Sequence, residues 1–180
     1  MTVNTDNVAV VRPKVGGAVW VADSGTTAPT GASEALTSFT GLGWTGEDGV
    51  VMTINKEVKD ILAFGGDSVI TIQTSHDVEF TFKPLEWNEA VATEMFGKAN
   101  VDADAACVRV TSAELPERVY VFDLRGRNGE LFRIVVPKAK VTTLGEIPFK
   151  HNEPVAAEFT LKAYPDSNEV KVYIYKAVSA

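Results

Sequence analysis

The runs Arg118-Val119-Tyr120-Val121-Phe122-Asp123-Leu124 and Glu130-Leu131-Phe132-Arg133-Ile134-Val135-Val136, joined by Arg125-Gly126-Arg127-Asn128-Gly129, decide the fold. Both runs are dense in β-branched and aromatic residues, which fit a pleated and half-buried surface. Asn128-Gly129 supplies the positive φ that a tight hairpin turn demands. The stretch therefore predicts an antiparallel hairpin. Pro137 has no backbone N–H to give to a ladder and is expected to end the second strand.

The same patterning extends outward in both directions. Val78-Glu79-Phe80-Thr81-Phe82-Lys83 alternates apolar and polar residues, and β-branched residues fill much of Ser68-Val69-Ile70-Thr71-Ile72-Gln73-Thr74. Ser75-His76-Asp77 is expected as the turn between these two strands. Residues 155–163 and 169–176 flank the turn-rich Pro165-Asp166-Ser167-Asn168 and are expected to pair as a last hairpin. One helix interrupts the strands at 89–96. Asn88 suits its N-cap, Glu89 suits the positive end of the helix dipole, and Gly97 suits the position past its end. Val91, Ala92, Met95 and Phe96 share one face of it. The expected fold is mainly β, a β-sandwich or flattened barrel with one short flanking helix. Residues 1–180 are expected as a single domain, with 1–16 as an N-terminal arm.

Residues 41–67 read differently. They carry Gly41, Gly43, Gly46, Gly49, Gly65 and Gly66, charges at Glu47, Asp48, Lys56, Glu57, Lys59 and Asp60, and isolated apolar anchors at Trp44, Ile61, Leu62 and Phe64. Apart from a strand at 50–54 they are expected to form a long loop, and a loop of this length in a compact domain is usually functional. Its apolar anchors fit either a partner surface or a loop folded onto its own core.

Composition narrows the function classes. With 45% hydrophobic and 23% charged residues the chain can bury a core and is not predominantly disordered. Nothing approaches the ~20 apolar residues of a membrane span. Residues 1–13 lack the basic start and apolar core of a signal peptide, so retention in a cytoplasm is expected. Cys107 is the only cysteine, which excludes an internal disulfide. Of the 17 basic and 24 acidic residues, 6 and 13 lie in residues 1–100, and 11 of each lie in 101–180. The whole net charge of −7 therefore sits in the first part, the wrong sign for tight binding to phosphate backbones.

No motif supplies chemistry. Gly41-Leu42-Gly43-Trp44-Thr45-Gly46 matches G-x-G-x-x-G, but Glu47-Asp48-Gly49 and a strand follow it instead of a helix N-terminus. Asn100-Val101-Asp102-Ala103-Asp104 alternates oxygen ligands, yet Ala105 and Ala106 follow, and Thr111 stands where a calcium loop needs Glu. His76 and His151 have no zinc-type spacing. Asp23-Ser24-Gly25-Thr26-Thr27 reads as a turn, and no G-x-S-x-G elbow is present. The pairs Glu47/Asp48 and Glu114/Glu117 show no sign of converging. Arg125, Arg127, Arg133, Lys138 and Lys140 concentrate positive charge, and Asp123 and Glu130 on the same strands predict cross-strand ion pairs with them. No catalytic, cofactor or metal site is expected.

A family resemblance runs through these residues. Gly17-Ala18-Val19-Trp20-Val21-Ala22, then Gly25-Thr26 and Pro29-Thr30, then Leu42-Gly43-Trp44 with Glu47-Asp48-Gly49-Val50, resemble the opening of major tail proteins of long, non-contractile-tailed bacteriophages, above all those of actinobacteria. Lys59-Asp60-Ile61-Leu62-Ala63-Phe64-Gly65-Gly66-Asp67, followed by Val69 and Gln73-Thr74, is similar to that family's central D-I-x-A-W-G-G-D stretch, with Phe64 in place of the Trp. Phe80-Thr81-Phe82, Glu86 with Asn88, and Phe96-Gly97 continue the likeness. So do Arg133-Ile134-Val135-Val136-Pro137-Lys138-Ala139 and Leu161-Lys162-Ala163-Tyr164-Pro165-Asp166.

The resemblance implies a structural virion protein whose β-sandwich subunits close into rings, taken to be hexameric, that stack into the tail tube through which DNA is ejected. It implies assembly in the bacterial host cytoplasm and residence in the virion tail. Its partners would be further copies of itself, a tape-measure protein, an initiator at the tail tip and a terminator, with DNA passing unbound and no membrane involved. It makes 41–67 the loop that reaches a neighbouring subunit or ring, with Trp44, Glu47, Asp48, Lys59, Asp60, Phe64 and Asp67 as candidate contacts. The alternative from another class is a monomeric β-sandwich binding module, carbohydrate-binding or capsid-decorating, with Trp20, Trp44 and Trp87 as a sugar platform.

Overall fold

The hairpin expected around Asn128-Gly129 is present in the computed structural model, which describes residues 8–14 and 17–177. In chain order the strands are β1 (Val11–Pro13), β2 (Val19–Asp23), β3 (Thr40–Gly41), β4 (Thr45–Leu62) and β5 (Ser68–Pro84). After helix α1 (Glu89–Phe96) come β6 (Arg118–Gly126), β7 (Leu131–Leu144), β8 (Phe159–Ala163) and β9 (Tyr173–Ala177). The protein is mainly β, with one antiparallel sheet in the order β3-β2-β6-β7-β8-β5-β4, and α1 is the single α-helix among the described residues. Of the expected N-terminal arm, residues 1–7 and 15–16 lie outside the described residues, and β1 pairs with the end of β6.

The sheet becomes two-layered because β7 serves both layers. Its first half lies between β6 and β9, with Leu131 to Val135 facing β9, and its second half, Ala139 to Leu144, pairs with β8. The change of neighbour coincides with a register shift: Tyr120 faces Val136, but Arg118 faces Ala139. Pro137 sits in that shift. It does not end the strand as expected, because a bulge is one of the places where a missing ladder N–H costs little. Folding the sheet there brings β5 over β6, which are not neighbours in strand order. Phe80 stacks on Phe122 with ring centroids 5.0 Å apart, and Phe82 meets Phe122 edge-on at 5.6 Å. Phe80, Phe82, Tyr120, Phe122, Phe159 and Leu161 are all buried there. Each such side chain withdrawn from water stabilises by roughly 1.5–3 kcal/mol, so this inner face is the chief source of stability. The two ends of the sheet, β3 and β4, do not pair, and the fold is not a closed barrel.

Three further expectations are corrected. Residues 41–67 are not a loop: β4 and β5 form one antiparallel hairpin, paired from Thr45 opposite Pro84 to Leu62 opposite Ser68. Ser75-His76-Asp77 is not a turn but lies within β5, opposite Glu57, Lys56 and Asn55. Finally, β8 and β9 do not pair with each other. Both pair with β7, in series along it, and β8 also pairs with β5.

Helix α1 follows its sequence signals. Asn88 caps it, its side-chain oxygen accepting the Val91 N–H at 2.9 Å, and Gly97 closes it at φ 84°. Val91, Ala92 and Met95 are buried, as expected, and so is Glu94.

Candidate functional site

The outer half of the β4–β5 hairpin projects from the body as a two-stranded ribbon. Past Ile54 opposite Val78, β4 is exposed on both faces up to the tip, 63–67, and β5 is exposed from the tip to Thr74, with Ser75, His76 and Asp77 half-buried. At ~3.3 Å per residue, the eight residues from Ile54 to Leu62 carry the tip about 26 Å outward. Ile61 faces Ile70 with Ile72 beside them on one side, while Val58 and Leu62 alternate onto the other. Each of these is between 42% and 64% exposed, and Phe64 at the tip is wholly exposed. Inside the tip, the Ala63 N–H donates to the Asp67 carbonyl at 2.8 Å, and Gly65 and Gly66 take φ of 121° and 97°. An isolated two-stranded ribbon is marginal in water, and an exposed apolar patch is a general mark of an interaction surface.

The seven predicted contact residues fall into two groups at opposite ends of β4. Lys59, Asp60, Phe64 and Asp67 are exposed on the projecting arm, where Asp60 accepts the Thr71 hydroxyl at 2.6 Å. Trp44, Glu47 and Asp48 are exposed at its base. There the register jumps from Thr45 opposite Pro84 to Val50 opposite Phe82, so 46–49 bulge out of the ladder. Trp44 is 73% exposed, but its backbone is fixed by Glu86. A β-carbon on Gly43, at φ 78°, would overlap that carboxylate. Gly41 lies in β3 and no helix follows Gly46, so the glycine pattern frames a strand-to-strand turn.

Beside α1 lies a cleft of about 480 Å³ that sequence reasoning missed, bounded by β2, β3, α1 and Arg118. At its floor Glu94, 4% exposed, accepts the Tyr120 hydroxyl at 2.5 Å and pairs with Arg118 Nε at 3.2 Å. Arg118 also pairs with Asp23. Burial pushes the Glu94 carboxyl up to about 7, against the lowering effect of the Tyr120 hydroxyl. Tyr120 is held well above its ordinary value by its own burial and by the Glu94 charge. The signal was present in the sequence: Glu94 lies three residues after Val91 and so falls on the apolar stripe of its helix.

On the opposite side of β6, Asp123 and Arg133 face each other across the predicted hairpin and form a buried two-point ion pair, 2.6 and 2.8 Å. Arg133 also donates to the carbonyls of Gly31 and Glu34, pinning the long β2–β3 connection over the sheet. Glu130 pairs with Lys176 of β9, while Lys138 and Lys140 pair with Glu117 and Glu114. The basic concentration is thus tied into ion pairs at Arg133, Lys138 and Lys140. In the stretch weighed for calcium, Asp102 pairs with Arg109 and Asn100 donates to the Phe96 carbonyl. Among the described residues no three metal-ligating side chains converge. Trp20 packs against Gly41 of β3, and Trp87 lies 6.5 Å from Phe96.

Comparison with known proteins adds a sequence match. A family model described as phage tail tube protein matches residues 1–177. None of the curated proteins matches the chain. Among solved structures the chain is similar to the tube-terminating cap of the anti-feeding prophage, at 16% identity and a TM-score of 0.49, covering 98% of this chain and 100% of that one. It is also similar to a chain of the extended sheath-tube complex of the extracellular contractile injection system PVC, at 14% identity and a TM-score of 0.47, again covering 98% and 100%. The family match, spanning all but the last three residues, is what assigns the chain: it belongs to the phage tail tube protein family, and is a structural component of a phage tail.

Proposed function

We propose that this protein is the repeating subunit of a tail tube, closing head-to-tail into rings, taken as hexameric, that stack into the conduit for DNA ejection. The observation that carries this reading is the layer β4-β5-β8-β7, whose two outer edges have no strand partner among the described residues: the far edge of β4, and that of β7 over Lys140 to Leu144. The four strands alternate in direction. An even number means that β7 of one copy and β4 of the next would also run antiparallel, so a ring of copies closes into one continuous barrel without a free edge. Trp44, Glu47 and Asp48 then lie near the seam at the base of β4. Lys59, Asp60, Phe64 and Asp67 are carried by the arm to an adjacent subunit or ring.

The resemblance extends the proposal to a long, non-contractile tail with a tape-measure protein, a tail-tip initiator and a terminator as partners. It also extends to assembly in the host cytoplasm and to a role without enzymatic activity. The acidic surplus in residues 1–100 fits a lumen along which DNA slides because phosphate is repelled. Neutralising lumen carboxylates without any change in DNA delivery would refute that last point. The test of the whole reading is negative-stain electron microscopy across a concentration series, alone and after co-expression with tail-tip proteins. Hollow rings or tubes are expected. Monomers under every condition would overturn it.

A further inference from the structure

We propose that Phe64 of one copy inserts into the cleft beside α1 of the next, a specific contact that rests on the head-to-tail assembly proposed above. The knob and the hole are both present in a single chain but cannot meet there. The cleft lies at the start of β4, because Asn88 and Glu89 line it and Glu86, two residues earlier, holds Trp44. Phe64 lies beyond the other end of the same strand, about 45–50 Å away once the bulge at 46–49 is allowed for. A projecting element and a recess at opposite ends of one subunit are what a heterologous, head-to-tail contact requires.

The cleft offers an aromatic ring the methyl groups of Ala22, Ala90, Thr40 and Thr93 to pack on, surrounded by charged side chains that include Asp23, Glu89, Lys98 and Arg118. Phe64 stands fully in solvent on a turn set by two positive-φ glycines, so it pays little entropy to be presented. A large aromatic side chain seated in a pocket that excludes water is the kind of contact that dominates interface energetics.

Two readouts test the contact separately from assembly itself. In a Cys107→Ser background, Phe64→Cys and Thr93→Cys proteins are mixed and oxidised. A disulfide-linked heterodimer is expected, well in excess of either homodimer. In the second readout, Phe64→Ala, and Ser38→Trp at the exposed mouth of the cleft, are each expected to raise the concentration needed for assembly into rings or stacked tubes by about tenfold or more, with unchanged melting temperatures. Rings and tubes that both form normally in Ser38→Trp, together with no cross-link, would overturn the inference and leave the tail-tube reading standing. Absence of both rings and cross-links in every condition, co-expression with tail-tip proteins included, would overturn both.

Discussion

The backbone N–H of Trp44 donates to Oε1 of Glu86 at 2.9 Å across 42 residues of chain, and the other oxygen of Glu86 accepts the Asn88 side-chain amide at 3.1 Å. One carboxylate thus ties the base of β4 to the cap of α1. Glu86→Ala should lower stability by about 1–2 kcal/mol, since it frees the Trp44 amide and loosens the capping residue together. Gly43→Ala should cost at least as much, through a clash with the same carboxylate at a φ that only glycine adopts freely. Thermal unfolding of both variants checks this, and an unchanged melting temperature in both would remove the tie.

Asp123→Ala should be the more damaging change at the hairpin. It leaves the Arg133 guanidinium, 1% exposed, without its counter-charge, a loss of about 3–5 kcal/mol. Because Arg133 also holds the carbonyls of Gly31 and Glu34, the variant should gain protease cleavage within 24–39 before global unfolding. Denaturant unfolding combined with mapping of the first cut tests both halves.

Glu94 should make stability fall as pH rises through neutrality. Its folded pKa of about 7 lies above the ordinary 4.5, so the folded state binds the proton more tightly than the unfolded one between these values. The associated stability is fully present below pH 4.5 and is lost as pH passes 7, a change of about 3 kcal/mol. Glu94→Gln should flatten this slope. Glu34, Glu114 and Asp166, held below their ordinary values by hydrogen bonds, act in the opposite sense and at lower pH. Guanidinium unfolding at intervals from pH 5 to 8 decides the matter: parallel curves for the two proteins would sink the assignment.

Replacing Ile61 and Ile70 together by Thr should leave the isolated subunit as stable as before, within about 0.5 kcal/mol, because both side chains are already about half exposed. The same double change, and separately Trp44→Ala, should reduce assembly. A lowered melting temperature of the unassembled protein would instead mean that these residues support their own fold.

The arm shows why part of the fold was hidden in the sequence. A strand is recognisable when one face is buried, because burial imposes alternation. In β5 the stretch Val78, Phe80, Phe82 has a buried face and alternates cleanly. Along the arm, Lys56, Glu57, Lys59 and Asp60 crowd both faces of β4 because both are in solvent, so the period of two vanishes and the pattern reads as a loop. Pro137 and Ser75-His76-Asp77 misled for a related reason. Local residue preferences were overridden by a bulge in one case and by a long partner strand in the other.

The β class, the central hairpin and the short capped helix are legible in the residues alone, since these depend on contacts within a few residues. That β7 belongs to two layers, that the arm projects, that β8 and β9 pair in series along β7, and that Glu94, Tyr120 and Arg118 meet beneath a cleft emerges only in the folded chain. These depend on pairings between residues far apart in the chain, which no local preference encodes. They are set by which arrangement buries the aromatic face of β5 against that of β6 while leaving the fewest backbone groups unpaired.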